Sequence, residues 1–382
     1  MNVDVAVVGG GAAGVDAAVA VREQQPDSSV ALISPDRSLR YRPWLVYLPA
    51  GAASATDMTM PLSEIAGRHE FALVHGQVRR VDPEASRLTV GPESAIVEYK
   101  QLILAPGAPA DRERIPGAEK HAIFPCDADG AQELIDRLAE LSEAAVLFVL
   151  TGERIGPGLE YAGWVARAAR AKGRDGIRVT VVEHGDALDR QFGVRAAERI
   201  LRQAATLGIE SIRHARIEQV ADGELLLAER SVHADLICVT SPLRGPDLGL
   251  PGRLLNSRGM LTVDPTLAAP TARNVFAAGD FSDVQGMDTE LPKTWIMARL
   301  QAETAARNAV AALRGEPAAE LDRRKVTRMS AISMPDVGGQ TVFVRNRKPV
   351  VGGSWPLRLR YRMDAKYLAR YRTSPGATRP GM

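Results

Sequence analysis

Residues 3–14 read VDVAVVGGGAAG, an apolar run that ends directly in glycines at positions 9, 11 and 14. The run Val3–Val8, apolar except for Asp4, reads as a strand buried in a parallel sheet. The alanine-rich stretch Val15–Arg22 then continues as a helix, and Val30–Ile33 returns as a second strand. In such a βαβ unit each glycine of GxGxxG has a mechanical task. Gly9 permits the tight turn, Gly11 lets the backbone come close to a pyrophosphate, and Gly14 lets helix and strand pack closely. Ala12 and Ala13 of the loop are candidate contacts too, and the N-terminus of the helix that the loop opens faces the phosphates. The loop therefore reads as a dinucleotide site.

Outward from this unit, short strand-like runs at Phe71–Val74, Gln77–Val81, Arg87–Val90 and Ala95–Val97 have the spacing of a meander. Leu102–Ala105 is a strand ending in Pro106-Gly107. A second βαβ unit follows, with a helix over Asp129–Leu141, a strand at Val146–Leu150, a helix over Leu159–Ala171 and a strand at Val179–Glu183. Beyond it come a helix near Val194–Leu207, strands near Glu224–Ala228, Leu236–Val239 and Val275–Ala278, and a long helix from about Thr294 to Leu313. Gly315-Glu316-Pro317 reads as a linker. The expected fold class is α/β, with two Rossmann-like FAD/NAD(P)-binding domains of the three-layer ββα kind and a small C-terminal segment. The expected division is 1–112 with 238–320 for the first domain, 113–237 for the second, and 321–382 for the segment.

Composition bounds the function classes. With 382 residues, 45% hydrophobic and 25% charged, the chain has the make-up of a multi-domain globular protein. The first strand begins almost at Met1, so no signal peptide is expected. The longest clean apolar run, Ala144–Leu150, is far short of the roughly 20 residues of a spanning helix. Cys126 and Cys238, the two cysteines, form neither a CxxC pair nor a zinc-type cluster, which fits a reducing cytoplasm; no metal is expected. Residues 345–372 hold nine Arg or Lys and one Asp, a net +8 in a chain of net +2, so the remainder sums to −6. Such a segment suits an anionic surface, phospholipid or nucleic acid by charge alone. The final Ser/Pro/Gly/Arg-rich residues are expected to fray.

Companion segments narrow the dinucleotide. YKQLILAPG at 99–107 resembles the YDxLxxATG segment of flavoproteins with two dinucleotide domains, and NVFAAGD at 274–280 matches their motif of that form. The resemblance implies FAD, with Ala105, Pro106 and Gly107 beside it, Val78 of the meander contributing a contact, and Gly279-Asp280 at the ribityl chain. The second strand ends Ser34-Pro35-Asp36 where relatives carry an acid for the adenosine ribose; Ser34 has the hydroxyl for that contact, Asp36 has the reach and Pro35 lies between.

Over nearly its full length the chain is similar to the group comprising sulfide:quinone oxidoreductases, flavocytochrome c sulfide dehydrogenases and type II NADH dehydrogenases. LISPDRSLRYRPW at 32–44 resembles the segment that places Arg42 and Pro43 near the isoalloxazine, and IGPGLEYA at 155–162 resembles the second βαβ turn. LPKTWIMARLQAETAARN at 291–308 resembles the PKTGxMxxxQ helix, with Trp295 in place of the glycine. That likeness puts the helix N-terminus, Thr294 and the Lys293 ammonium at the flavin pyrimidine edge, where positive charge favours the reduced ring. SMPDVGGQTVFV at 333–344 and the stretch Trp355–Arg372 resemble the quinone-site and membrane-contact region. By alternation Leu357–Met363 reads as a strand; the resemblance implies a helix.

The departures matter as much. Arg154 and Ser333 stand where the group's redox cysteines would be, and Cys126 alone matches a third cysteine position. In the second turn the GxGxxG positions hold Gly152, Arg154 and Pro157, with glycines displaced to 156 and 158. Glu183 ends the following strand where an acid would bind the ribose of NADH, without a neighbouring arginine to suggest NADPH. A vestigial nucleotide fold is the alternative. The resulting expectation is an FAD-dependent oxidoreductase taking electrons from NAD(P)H and passing them to a quinone-like acceptor. The rivals are sulfur handling through Cys126 alone and a non-catalytic redox sensor. Partners are then small molecules and an anionic membrane surface, with a homodimer allowed and no nucleic acid. The location is cytoplasmic, peripheral on the inner face of the cell membrane.

Overall fold

The computed structural model describes residues 1–288 and 290–372; the tail expected to fray, 373–382, lies outside the described residues. The chain divides into two compact units, one of residues 1–41, 59–109 and 244–330, the other of residues 42–58, 110–243 and 331–382.

In the first unit a parallel sheet runs in the order Ala272–Ala277, Ala95–Leu104, Asn2–Val8, Val30–Ser34, Ala72–His75. Val5, Ala6 and Val7 are fully buried, as a strand covered on both faces requires. The two runs at Ala95–Val97 and Leu102–Ala105 are one continuous strand, Ala95–Leu104. Its first half pairs antiparallel with Arg87–Val90 of the meander, and its second half pairs parallel with Asn2–Val8 and Ala272–Ala277. The polar residues between the runs hid this, because a strand changing partners midway changes its burial pattern. The helices Ala12–Gln24 and Trp295–Arg314 pack side by side. Ala17 and Ala18 on the first, and Ala302, Ala305 and Ala306 on the second, are fully buried small residues, which bring the helix axes close.

The second unit has a four-stranded parallel sheet in the order Glu210–Ala215, Ile177–His184, Ala144–Leu150, Leu236–Thr240. The strand Glu224–Leu227 is the middle of a separate three-stranded antiparallel meander. The helix Ile155–Ala171 starts four residues before the sequence reading placed it, despite Gly156-Pro157-Gly158. Proline is tolerated in a first turn, where its missing N–H would have no acceptor.

The C-terminal part of this unit is a small antiparallel sheet, with Gln340–Arg345 between its neighbours, followed by the helix Ser354–Tyr371. The strand reading of Leu357–Met363 is thus corrected in favour of the helix. Leu357, Tyr361, Asp364, Leu368 and Tyr371 recur at helical spacing on the buried side, while Leu359 faces outward, so the alternation with arginine is incidental.

A buried polar network fastens this segment to the helix Ile155–Ala171. Arg360 makes a two-pronged pair with Glu160, with Nη1 on Oε1 and Nη2 on Oε2 at 3.1 Å, and donates from Nη1 to the Met334 carbonyl at 3.1 Å. Asp336, fully buried, accepts from the Gly339 N–H at 2.8 Å, Trp164 Nε1 at 3.2 Å and the Tyr361 hydroxyl at 3.2 Å. Its own N–H donates to Glu160 Oε1 at 3.0 Å. Trp44 Nε1 donates to Asp364 Oδ2 at 3.0 Å. Such groups are tolerated away from water only when satisfied together. Removing the cation alone strands a buried carboxylate. Arg360→Met should therefore cost about 3–5 kcal/mol of unfolding free energy, read from chemical denaturation followed by tryptophan emission. The double variant with Glu160→Met should recover most of that loss; equal stability of the single variant and the parent chain would show that the pair is not structural.

Candidate functional site

The first unit gathers the glycine loop, the turn at Pro106-Gly107, and Gly279-Asp280 at the carboxyl ends of adjacent parallel strands, where ligands of open α/β sheets bind. Gly9 has φ +115°, and a methyl group on it would fall 2.1 Å from the Ala105 carbonyl oxygen. A methyl on Gly14 would fall 1.9 Å from the Gly9 carbonyl oxygen. Gly11 differs in kind. It caps the helix with ordinary backbone angles, φ −79° and ψ −177°, no side chain bonds the helix end, and nothing lies within 4 Å of where its Cβ would be. The open space in front of an uncapped helix is the cradle a pyrophosphate needs. Gly107, with φ +76°, is likewise open on its Cβ side.

Ser34 is fully buried; its Oγ accepts from the Asp36 N–H at 3.1 Å and would lie 2.5 Å from a methyl group on Gly10. Gly10 thus packs against the side chains of Ser34 and Leu62, a contact unassigned from sequence because it is outside the GxGxxG spacing. Pro35 is exposed, Ala12 half-buried, and Ala13, Val78 and Ala105 buried. A methyl on Gly279 would stand 3.1 Å from Ala13 Cβ and 3.7 Å from Ala298 Cβ. This glycine thus joins the first turn of one helix to the second turn of the other. Its N–H donates to Gln301 Oε1 at 2.7 Å, and Ser282 Oγ donates to the Gly279 carbonyl at 2.8 Å. Gln301 is the glutamine that ends PKTGxMxxxQ, so its signal was present in the motif although no role was attached to it.

Thr294 caps its helix, its Oγ1 accepting from the Met297 N–H at 3.4 Å. Trp295 has not disturbed the start of that helix. The Lys293 ammonium donates to the Ser282 carbonyl at 2.5 Å, so the cation is held beside the Gly279–Phe281 turn. Asp280 is half-buried in this turn. Arg299 Nε donates at 2.7 Å to the buried Asp16 on the glycine-loop helix, an ion pair without a sequence signal, since its partners are 283 positions apart.

Arg42 and Pro43 begin the 3₁₀ segment Arg42–Ala50 of the second unit. In that unit Gly152 makes the turn with φ +71°, a methyl there falling 2.5 Å from the Pro242 nitrogen. Arg154 is the residue preceding the helix; its nearly buried guanidinium donates to Asp127 Oδ1 at 3.4 Å. Gly156 has only the Gln191 amide near its Cβ position, at 3.8 Å, while a methyl on Gly158 would meet Leu150 and Thr240. The carboxylate of Glu183 is buried; it accepts from the Leu188 N–H at 2.7 Å and from Arg213 Nε at 2.8 Å. The expectation of no arginine beside Glu183 is corrected here. Arg213 arrives from the neighbouring strand and binds Asp189 as well, at 2.7 Å.

Cys126 and Cys238 are both free and buried. Burial pushes the Cys126 thiol up to about 11, the nearby Arg154 only partly opposing it. Burial also pushes Cys238 upward. Neither is a thiolate at neutral pH, the form a sulfur nucleophile requires. Among the described residues no group of His, Cys, Asp and Glu could hold a metal ion.

The residues present fit FAD at the first cradle: two open glycines, an uncapped helix end and Asp280. This geometry separates packing from binding. Gly11→Ala should leave apo-protein stability within about 0.5 kcal/mol while sharply lowering the flavin-to-protein absorbance ratio. Gly14→Ala should destabilise the apo-protein itself by about 1–3 kcal/mol, measured by denaturation; equal apo stability of the two variants would contradict the contacts described.

The chain shows 24% identity over 361 residues to the sulfide-quinone reductase of Aquifex aeolicus, covering 89% of this chain and 82% of that one. The solved structure of the sulfide:quinone oxidoreductase from Aquifex aeolicus superposes with a TM-score of 0.85 at 21% identity, over 97% of this chain and 91% of that chain. That of NDH2 from Plasmodium falciparum in complex with NADH gives 0.78 at 15% identity, over 96% and 94%. A family model described as pyridine nucleotide-disulphide oxidoreductase matches residues 3–302, well over half of the chain. The intact glycine cradle and this match lead to one conclusion: the chain belongs to the pyridine nucleotide-disulphide oxidoreductase family and is an FAD-dependent oxidoreductase.

Proposed function

We propose that this flavoprotein takes electrons from a reduced pyridine nucleotide and passes them to a quinone-type acceptor at an anionic membrane surface. The observation that carries the donor assignment is the second turn. Gly152 makes the bend, Gly156 leaves the approach to the helix open, and Gly158 provides close packing, so displaced glycines take up the three tasks of the motif. A reduced pyridine nucleotide also accords with NADH in the Plasmodium falciparum NDH2 structure. We assign FAD to the first unit's cradle and the nucleotide to the turn at Gly152.

The flavin, when bound, supplies the hydride and electron chemistry. The chain's share is electrostatic and geometric. The helix headed by Thr294 and the Lys293 ammonium put positive potential at one place, and the open glycines leave room for phosphates. The same residues that seat the cofactor thus bias its charge.

Two occupied groups favour a second reading, in which the second unit holds no nucleotide and the protein is a redox sensor. Arg154, paired with Asp127, fills the close-approach position, and Glu183 is already bonded to Leu188 and Arg213. A sulfur-handling reading is disfavoured, because burial raises the pKa of Cys126 and Arg154 and Ser333 stand where the resembling group has its redox cysteines.

The membrane face rests on the helix Ser354–Tyr371 and the hairpin before it. Trp355 is 62% exposed and Val350 57%. Leu359, Arg358, Arg362 and Lys366 share the exposed side of the helix with Trp355. Aromatic and basic side chains together suit an anionic lipid headgroup layer. No helix among the described residues is long and apolar enough to cross a membrane.

An anaerobic titration tests the donor. NADH or NADPH should bleach the flavin absorbance in the parent chain and in Cys126→Ser alike. Bleaching by dithionite but by neither nucleotide would sink the proposal in favour of the sensor, and loss of sulfide-driven bleaching only in Cys126→Ser would revive the sulfur reading. Separately, Trp355→Ser with Leu359→Ser should abolish most co-sedimentation with vesicles containing anionic lipid, and unchanged sedimentation would remove the membrane face.

A further inference from the structure

Trp295 stands where the resembling helices have glycine, and the structure shows how the ring is held. Residues three and four apart share a helix face, and side chains lean toward the helix N-terminus. Trp295 therefore lies on the face of Ala298 and Arg299, one turn nearer the helix start. Both neighbours point at the cradle: Ala298 Cβ is 3.7 Å from where a methyl on Gly279 would be, and Arg299 binds Asp16 at 2.7 Å on the glycine-loop helix. The guanidinium of Arg299 lies 5.7 Å from the centre of the Trp295 ring. Tyr41, itself buried, meets the same ring at 5.6 Å with an interplanar angle of 72°. A cation over the ring and an aromatic edge against it are both favourable contacts that fix its orientation. Trp295 nevertheless remains half-exposed, at the head of the helix and two residues after Lys293.

We infer that Trp295 is a wall of the flavin site, its indole held by Tyr41 and by Arg299, which is paired with Asp16, so that the accessible part of the half-exposed ring meets bound FAD. The inference rests on the assignment of FAD to this cradle. Trp295 is a positioning residue here. An apolar ring at that point displaces water from the helix end, so the Lys293 charge and the helix dipole act through a lower dielectric than an open glycine would leave. Arg299 thus serves both partners: its Nε donates to the buried Asp16 carboxylate while its guanidinium carbon stands over the indole.

The test uses flavin emission, since an indole in contact with a flavin quenches it by giving one electron to the excited ring and taking it back, without net chemistry. In the FAD-loaded parent protein emission should be weak, with sub-nanosecond decay. Trp295→Phe should bind FAD in equal stoichiometry by absorbance and emit severalfold more strongly, whereas Trp355→Phe should match the parent. Unchanged emission and decay in fully loaded Trp295→Phe would overturn the inference, as would a rise confined to Tyr41→Phe. If Trp295→Phe releases the cofactor, the loaded parent protein decides by transient absorption: an oxidised indole must form on the sub-nanosecond scale after flavin excitation, and none forming refutes the contact. Failure of the parent protein to bind FAD would instead undo the cofactor assignment.

Discussion

The first unit depends on one close approach of backbone to backbone. Gly14 lies so near the Gly9 carbonyl that a single methyl group would fall 1.9 Å from its oxygen, and Gly9 in turn abuts Ala105. These two contacts draw the helix Ala12–Gln24 onto the sheet and aim its uncapped end at the strand termini. The alanine seam with the helix Trp295–Arg314 then places Gly279, Lys293 and Thr294 around the same point. The shape of the cradle follows from packing that requires the absence of side chains.

The second unit repeats the plan with a different economy. Its turn keeps a left-handed Gly152, but the residue before the helix is Arg154, and the glycine that packs on the sheet has moved to 158. Beside its apolar core this unit carries paired charged side chains: the Arg154–Asp127 contact, the Glu183–Arg213–Asp189 chain, and the buried group around Asp336 and Glu160. Satisfied buried charges specify a structure well, yet each carboxylate engaged in this way is one fewer available to a ligand.

What could be read from the sequence has a common physical basis. The glycine loop, the strands with continuous apolar runs and the long alanine-rich helix carry their signal within a few residues, since backbone sterics and burial act locally. Arg213 beside Glu183, Arg299 on Asp16 and Arg360 on Glu160 join segments 30, 283 and 200 positions apart, and nothing near either partner announces the other. The helix Ser354–Tyr371 misled for a related reason: three arginines at alternate positions imitate a strand, and only the packing of Leu357 and Tyr361 shows which period the fold uses.

That helix has a further consequence. Its inner side is wholly engaged with its own unit through Leu357, Tyr361, Leu368 and Tyr371, leaving one indole, one leucine and a row of cations outside. It has no second apolar stripe to offer and cannot roll to expose one without tearing Arg360 from Glu160. Whatever surface it meets is touched to the depth of a single side chain. Contact of that kind is shallow and quickly reversible, needing both the two apolar side chains and the row of cations, and is weakened by salt.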